Sequence, residues 1–174
     1  VGSTVNLVLT GPPGSGKTTV GQLCAQKLNR QFVDVDEHIV AKTGLSIPEL
    51  FSEQGETTFR ALEKKAIAEL TEQDNLVIAP GGGALEYPAN RAAAESSGPV
   101  VCLRASVGTI LKRLEGSKDR PLLQGNQEEK VRQLLVQRKT LYDSFPVQIV
   151  TDGQSPETVA QQIMEKLIPF QQDV

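Results

Sequence analysis

Residues 5–19 read Val5-Asn6-Leu7-Val8-Leu9-Thr10-Gly11-Pro12-Pro13-Gly14-Ser15-Gly16-Lys17-Thr18-Thr19. A brief apolar run breaks into a glycine-rich turn that ends in Lys-Thr. The run predicts a strand over Val5–Thr10. Beyond the turn, Val20, Leu23, Cys24 and Leu28 recur at helical spacing and predict a helix over Gly16–Leu28. The turn itself is a complete G-x-x-x-x-G-K-T, in the strand–loop–helix context that makes this motif a phosphate site. Glycines let backbone N–H groups turn inward around an anion, and the helix dipole adds partial positive charge at the same place. Lys17 can reach β- and γ-phosphates, and the Thr18 hydroxyl can ligate Mg²⁺. A plain turn before a helix would need neither side chain at fixed spacing.

Outward from this stretch, short apolar runs alternate with amphipathic ones. Gln31–Asp34, Asn75–Ala79, Pro99–Leu103 and Val147–Thr151 read as further strands, nearly continuous in Val, Leu or Ile, as in sheets covered on both faces. Helices are expected at Asp36–Thr43, Ser46–Gln54, Glu56–Glu72, Pro88–Ser96, Ser106–Glu115, Gln127–Ser144 and Pro156–Lys166. Ser46 with Glu49 forms a capping box, Asn126 precedes two glutamates, and Ser155 precedes a first-turn Pro and Glu. Strand–helix alternation with right-handed crossovers gives an α/β fold, a parallel sheet sandwiched between helices.

Composition bounds the function. A chain of 174 residues, 39% hydrophobic and 22% charged, is expected to form a single domain over residues 1–174 with a core that needs no staple. Eighteen basic against 21 acidic residues, with no basic tract, argue against nucleic acid as a partner. No apolar run reaches the ~18 residues of a membrane span, which argues against a membrane partner. Two isolated cysteines, Cys24 and Cys102, suggest a reducing, cytoplasmic setting. One His and no Trp leave the chemistry to Lys, Arg, Asp, Ser/Thr and backbone.

Several candidates join the phosphate loop. Asp34 and Asp36 lie two apart at the end of the second strand, so both carboxylates are expected to project from the ligand-binding edge of the sheet. One would serve a metal and the other an acceptor hydroxyl; a solvated turn with a capping Asp is the plainer alternative. Arg60 and Glu63 are three apart on a helix and can pair, at the surface or in a site. Gly81-Gly82-Gly83 exceeds what a turn needs and suggests close approach of a ligand. Arg138 falls on the apolar stripe of Val131, Leu134 and Tyr142. A buried guanidinium must meet an anion, either an internal carboxylate or that of a substrate. His38 reads as a solvated residue, and the polar segment 116–126 as the stretch most prone to move. Neither N-K-x-D nor D-x-x-G occurs, so a GTPase is not expected.

In order along the chain, GPPGSGKTTVG (11–21), FVDVDEHI (32–39), TGLSIPELFSEQGETTFRALE (43–63), PGGGAL (80–85), DRPLL (119–123) and QRKTLYD (137–143) resemble the shikimate kinase family over nearly the whole length. The resemblance implies a nucleoside-monophosphate-kinase-like fold, with a five-stranded parallel sheet in the order 2-3-1-4-5 and a lid at about 116–126. It also implies Mg²⁺-dependent transfer of the ATP γ-phosphate to the 3-hydroxyl of shikimate, on the route to chorismate and aromatic amino acids. Carried over by position, Gly14, Ser15, Gly16, Lys17, Thr18 and Thr19 hold the ATP phosphates, and Thr18 and Asp34 the metal. Asp36 binds the substrate hydroxyls, within a helical shikimate-binding segment at about 35–62. Arg60 and Arg138 hold the shikimate carboxylate, and Gly81, Gly82 and Gly83 contact the substrate. Lys17, Asp36 and Arg120 are the catalytic set, Arg120 being the lid arginine. Gln154, with Arg113, borders adenine. The expected form is a monomer acting on ATP and shikimate. The rival readings are a gluconate-kinase-like enzyme of the same fold and a catalytically silent ligand-binding relative.

Overall fold

The computed structural model describes residues 5–115 and 126–171. Strands β1 (Leu7–Thr10), β2 (Gln31–Asp34), β3 (Leu76–Ala79), β4 (Val100–Arg104) and β5 (Val147–Val150) form one parallel sheet in the order β2-β3-β1-β4-β5. The helices are α1 (Lys17–Leu28), α2 (Val35–Thr43), α3 (Ile47–Thr71), α4 (Pro88–Ser97), α5 (Val107–Leu114), α6 (Gln127–Gln137), α7 (Lys139–Asp143) and α8 (Pro156–Gln171). The result is the expected α/β/α sandwich.

The two-residue repeat of β1 sorts the core into two layers. Leu7 and Leu9 pack with Val20 and Cys24 of α1 and with Val159, Ala160 and Ile163 of α8. Val8 points to the opposite face, among Ile39 of α2, Phe59 and Ile67 of α3, Ala94 of α4 and Tyr142 of α7. A smaller cluster of Ile110, Leu114 and Val131 joins α5 to α6. Below the sheet, buried Asn6 ties three segments together. Its Oδ1 accepts from the Leu76 N–H (2.9 Å) and its Nδ2 donates to the Gln73 carbonyl (2.7 Å), while its own N–H donates to Ser97 O (2.9 Å).

The helices expected at 46–54 and 56–72 run together as α3, broken at Gly55 by φ 80 and ψ 168, so the expected division stands as a kink. Its start carries the full capping box: Glu49 N–H donates to Ser46 Oγ (3.3 Å), and Ser46 N–H donates to Glu49 Oε2 (2.7 Å). Thr158 N–H likewise donates to Ser155 Oγ (3.2 Å) at the start of α8. Asn126 makes no side-chain cap on α6.

Two helix expectations need correction. The segment expected as one helix over Gln127–Ser144 divides into α6 and α7 at Arg138 (φ −99, ψ 7). Helix α8 continues past Lys166 to Gln171, with Pro169 inside its last turn. A 3₁₀ turn over Ala84–Glu86 follows the glycine triplet and was not foreseen.

Candidate active site

The phosphate loop is built as its sequence implies. After β1 the chain turns through Gly14 (φ 76) and Gly16 (φ 98) and enters α1 at Lys17. Lys17 Nζ donates to the carbonyls of Gly11 (2.6 Å) and Pro12 (3.0 Å), folding the ammonium over its own loop. The hydroxyls of Thr10 and Ser15 are buried there without a hydrogen-bond partner among the described residues. Thr18 is the second residue of α1. Arg113 braces the loop from α5: Nη1 donates to Gly14 O (3.1 Å) and Thr151 Oγ1 (3.0 Å), and Nη2 to Thr151 O (3.2 Å). The guanidinium thus ties the phosphate loop to the β5–α8 turn that carries Gln154. The Gln154 amide is itself engaged, donating to Val150 O (2.5 Å) and accepting from Gln162 Nε2 (2.7 Å).

On the other side, the reason offered for pairing Asp34 with Asp36 does not hold. The strand ends at Asp34, which takes the N-cap of α2 with its Oδ1 accepting from Glu37 N–H (3.1 Å), while Asp36 sits in the first helical turn. What gathers the acceptor-side groups is the glycine triplet. A methyl group built on Gly81 would lie 3.3 Å from Glu63 Oε2 and 3.7 Å from Asp36 Oδ1. On Gly82 it would lie 3.0 Å from the Gly11 carbonyl and 3.2 Å from both Arg138 Nη1 and the Tyr142 hydroxyl. On Gly83 it would meet Arg138 Nη2 at 2.5 Å. The guanidinium of Arg138 therefore lies against Gly82 and Gly83, and Gly82 lies against the Gly11 carbonyl of the phosphate loop.

Arg60 reaches the same place through Glu63, to which Nη1 donates at 2.8 Å. Glu63 is only 1% exposed, so this pair is not a surface pair. Burial pushes the Glu63 carboxyl above its ordinary range, against the pull of the Arg60 hydrogen bond and charge, and nearby Asp36 adds to the rise. Burial pulls the Arg60 guanidinium down, but the Glu63 hydrogen bond and charge outweigh it and the net direction is up. The Arg60 guanidinium also lies 5.3 Å and 5.4 Å from the ring centroids of Phe59 and Tyr87. Tyr142 donates to Gly82 O (2.9 Å), and burial holds its hydroxyl up at about 12.

Gly11 of the phosphate loop, Asp36, Glu63 with Arg60, and Arg138 thus gather around one glycine triplet after β3. The chain matches the sequence profile of the shikimate kinase family over residues 13–168. It belongs to the shikimate kinase family. Among its relatives, the shikimate kinase of Thermodesulfovibrio yellowstonii is 44% identical over 162 residues, spanning 92% of this chain and 94% of the relative. A solved structure of shikimate kinase from Acinetobacter baumannii in complex with shikimate superposes with a TM-score of 0.91 at 39% identity, covering 98% of this chain and 97% of that one. The shikimate kinase from Bacteroides thetaiotaomicron follows at TM-score 0.87 and 33% identity, over 95% and 99% of the two chains.

Within this shikimate kinase fold, Asp36 and Glu63 lie beside Gly81, Arg138 lies beside Gly82 and Gly83, and Gly82 lies beside Gly11 of the loop that opens α1, while Asp34 caps α2 at the end of β2. Arg120 and the expected lid, but for Asn126, lie outside the described residues. Reading the residues alone did not assign Glu63, Glu86, Tyr87 or Tyr142 to the site. Glu63 carried a usable signal, a carboxylate close to an apolar helical stripe; the others show themselves only in three dimensions. His38 is half-buried, less solvated than expected: its Nε2 is buried without a hydrogen-bond partner among the described residues. It borders a cleft of about 300 Å³ with Gln31, Asp34, Glu37 and Gln73.

Proposed function

We propose that this chain transfers the γ-phosphoryl group of ATP to the 3-hydroxyl of shikimate, releasing ADP and shikimate 3-phosphate. The observation that carries the reading is the contact between the two halves of the site: Gly82, floor of the acceptor side, lies against the Gly11 carbonyl of the loop that Lys17 folds over. An alcohol seated on that floor is next to a phosphate held by that loop, which is the proximity an in-line transfer needs.

Each group then has a task. Lys17 exchanges its loop carbonyls for β- and γ-phosphate oxygens and offsets charge moving onto the leaving oxygen. Backbone N–H groups of Gly14 to Thr19 and the start of α1 hold the phosphates. Asp36 orients the acceptor hydroxyl and accepts its proton. Little activation of the nucleophile is needed in a loose transition state, so orientation is its larger contribution. Arg138 and Arg60 grip the carboxylate of the substrate and set the distance of the ring from the phosphate. Arg120 is assigned to the transferring phosphate by family resemblance. The adenine side falls to the Gln154 turn, which Arg113 holds against the phosphate loop.

The family implies Mg-ATP, and the donors present suit that ion. The Thr18 hydroxyl and the Asp34 carboxylate are hard oxygen ligands, and Mg²⁺ takes only one or two such protein groups alongside phosphates and water. When bound, the ion neutralises β- and γ-phosphate oxygens.

Among the described residues no helix is long and apolar enough to cross a membrane. A monomer in the cytoplasm fits two features. Exposed large apolar side chains among the described residues are divided among α3, the turn before α4, α6, β5 and α8, and both cysteines are buried, with thiols pushed up to about 12 and about 11 by burial. Coupled measurement of ADP release with shikimate, with gluconate and with neither tests the function. Release dependent on shikimate supports it. Release dependent on gluconate identifies the rival enzyme, and binding of both ligands without ADP identifies a silent relative.

A further inference from the structure

The two arginines differ in how their charge is met. The counter-ion of Arg60 is built in: Glu63 is buried and hydrogen-bonded at 2.8 Å. Arg138, its side chain 18% exposed, meets Glu63 only as a weaker charge and has Glu86 as its ion-pair partner among the described residues, with 3.6 Å between Arg138 Nε and Glu86 Oε1 and 44% of the Glu86 side chain exposed. That distance is beyond a hydrogen bond, so the pair is held by charge alone. Glu86 is fixed beside the guanidinium by the 3₁₀ turn over Ala84–Glu86, whose Glu86 N–H donates to Gly83 O (3.2 Å). A short buried counter-ion is permanent, whereas a long exposed one is replaceable.

We propose that Glu86 is an internal stand-in for the substrate carboxylate: it neutralises Arg138 between turnovers and competes with shikimate for it. This rests on the reading of Arg138 as a carboxylate-binding residue and adds an affinity-setting residue to it. A carboxylate arriving at Arg138 meets the Glu86 charge at the rim of the same guanidinium. It must displace that charge or bind beside it against like-charge repulsion. Glu86 therefore holds shikimate affinity below what the two arginines alone would give, and eases release of the product, which keeps the same carboxylate.

The test is shikimate affinity of Glu86→Gln, measured by calorimetry and by KM at low and high salt. Exposed charge interactions of this kind change affinity by a few-fold, so shikimate binding should tighten by about two- to five-fold at low ionic strength. The gain should shrink above roughly 0.5 M salt as screening removes the repulsion. It should be absent for the uncharged carboxamide analogue of shikimate. Weaker shikimate binding in Glu86→Gln would mean that Glu86 holds Arg138 in place, and unchanged binding would mean that the charge is not felt; either overturns the assignment. An unsubstituted chain that neither binds nor phosphorylates shikimate would instead overturn the proposed function.

Discussion

A methyl group added at Gly83 would sit 2.5 Å from Nη2 of Arg138 and 2.9 Å from its Cζ, so the guanidinium must shift by the better part of an ångström. Displacements of this size cost about 10²-fold when they misplace a positioning group. Gly83→Ala is accordingly expected to lose about that much in kcat/KM for shikimate while ATP still binds. A normal shikimate titration would show that Arg138 does not grip the substrate from this position. Lys17→Ala is expected to lower kcat by about two to three orders of magnitude without change in the circular dichroism spectrum, and a near-normal rate would reject the assignment of the phosphate loop. Lys17 and the triplet were legible in the sequence because their types and spacing have no cheaper explanation. Glu63 was not, because one carboxylate three residues from an arginine reads equally well as a surface pair. Only its burial against Gly81 decides between them.

Among the elements, α5 shows how a short helix is held by one acid from elsewhere in the chain. Asp152 accepts from the Ser106 N–H (3.0 Å) and from the hydroxyls of Ser106 and Thr109 (both 2.5 Å), and these hydrogen bonds hold its carboxyl down at about 2. A folded-state pKa below the unfolded ~3.8 gives stability that is present above about pH 4 and lost as pH falls toward 2. After allowance for its partial exposure the contribution is about 1 kcal/mol. Asp152→Asn should therefore lower the melting temperature at pH 7 and flatten its decline between pH 4 and 2, as thermal denaturation across that range would show. Strand positions were legible because fully covered strands are nearly uninterrupted in Val, Leu and Ile. The division between α6 and α7 was not. Hydrophobic period reports which side chains face inward, and Val131, Tyr142 and Phe145 keep facing inward across the break, whereas the backbone change at Arg138 leaves no mark on that pattern.

For the molecule as a whole, the sheet order follows from alternation of strand and helix only with help from family resemblance, since right-handed crossovers alone admit several orders. What joins the ends of distant segments is also hard to see in advance. Asn6, 1% exposed, holds the α3–β3 turn and the start of β3 through both ends of its amide. Asn6→Ala leaves the buried Leu76 N–H and the part-buried Gln73 carbonyl without this partner and is expected to destabilise the chain by about 1–3 kcal/mol, measured as a shift of the urea midpoint. A change under about 0.5 kcal/mol would mean that water replaces the amide. The backbone of residues 81–83, resting on the Gly11 carbonyl, carries a lesson for anyone wishing to redirect the protein to a different alcohol. Beneath the ring there is no thickness to trim or fill, so a mutational library directed at the floor would mostly yield dead variants. Diversity is better spent on the exposed ring of Tyr87 beside the Arg60 guanidinium, where a change of shape leaves the backbone against Gly11 untouched.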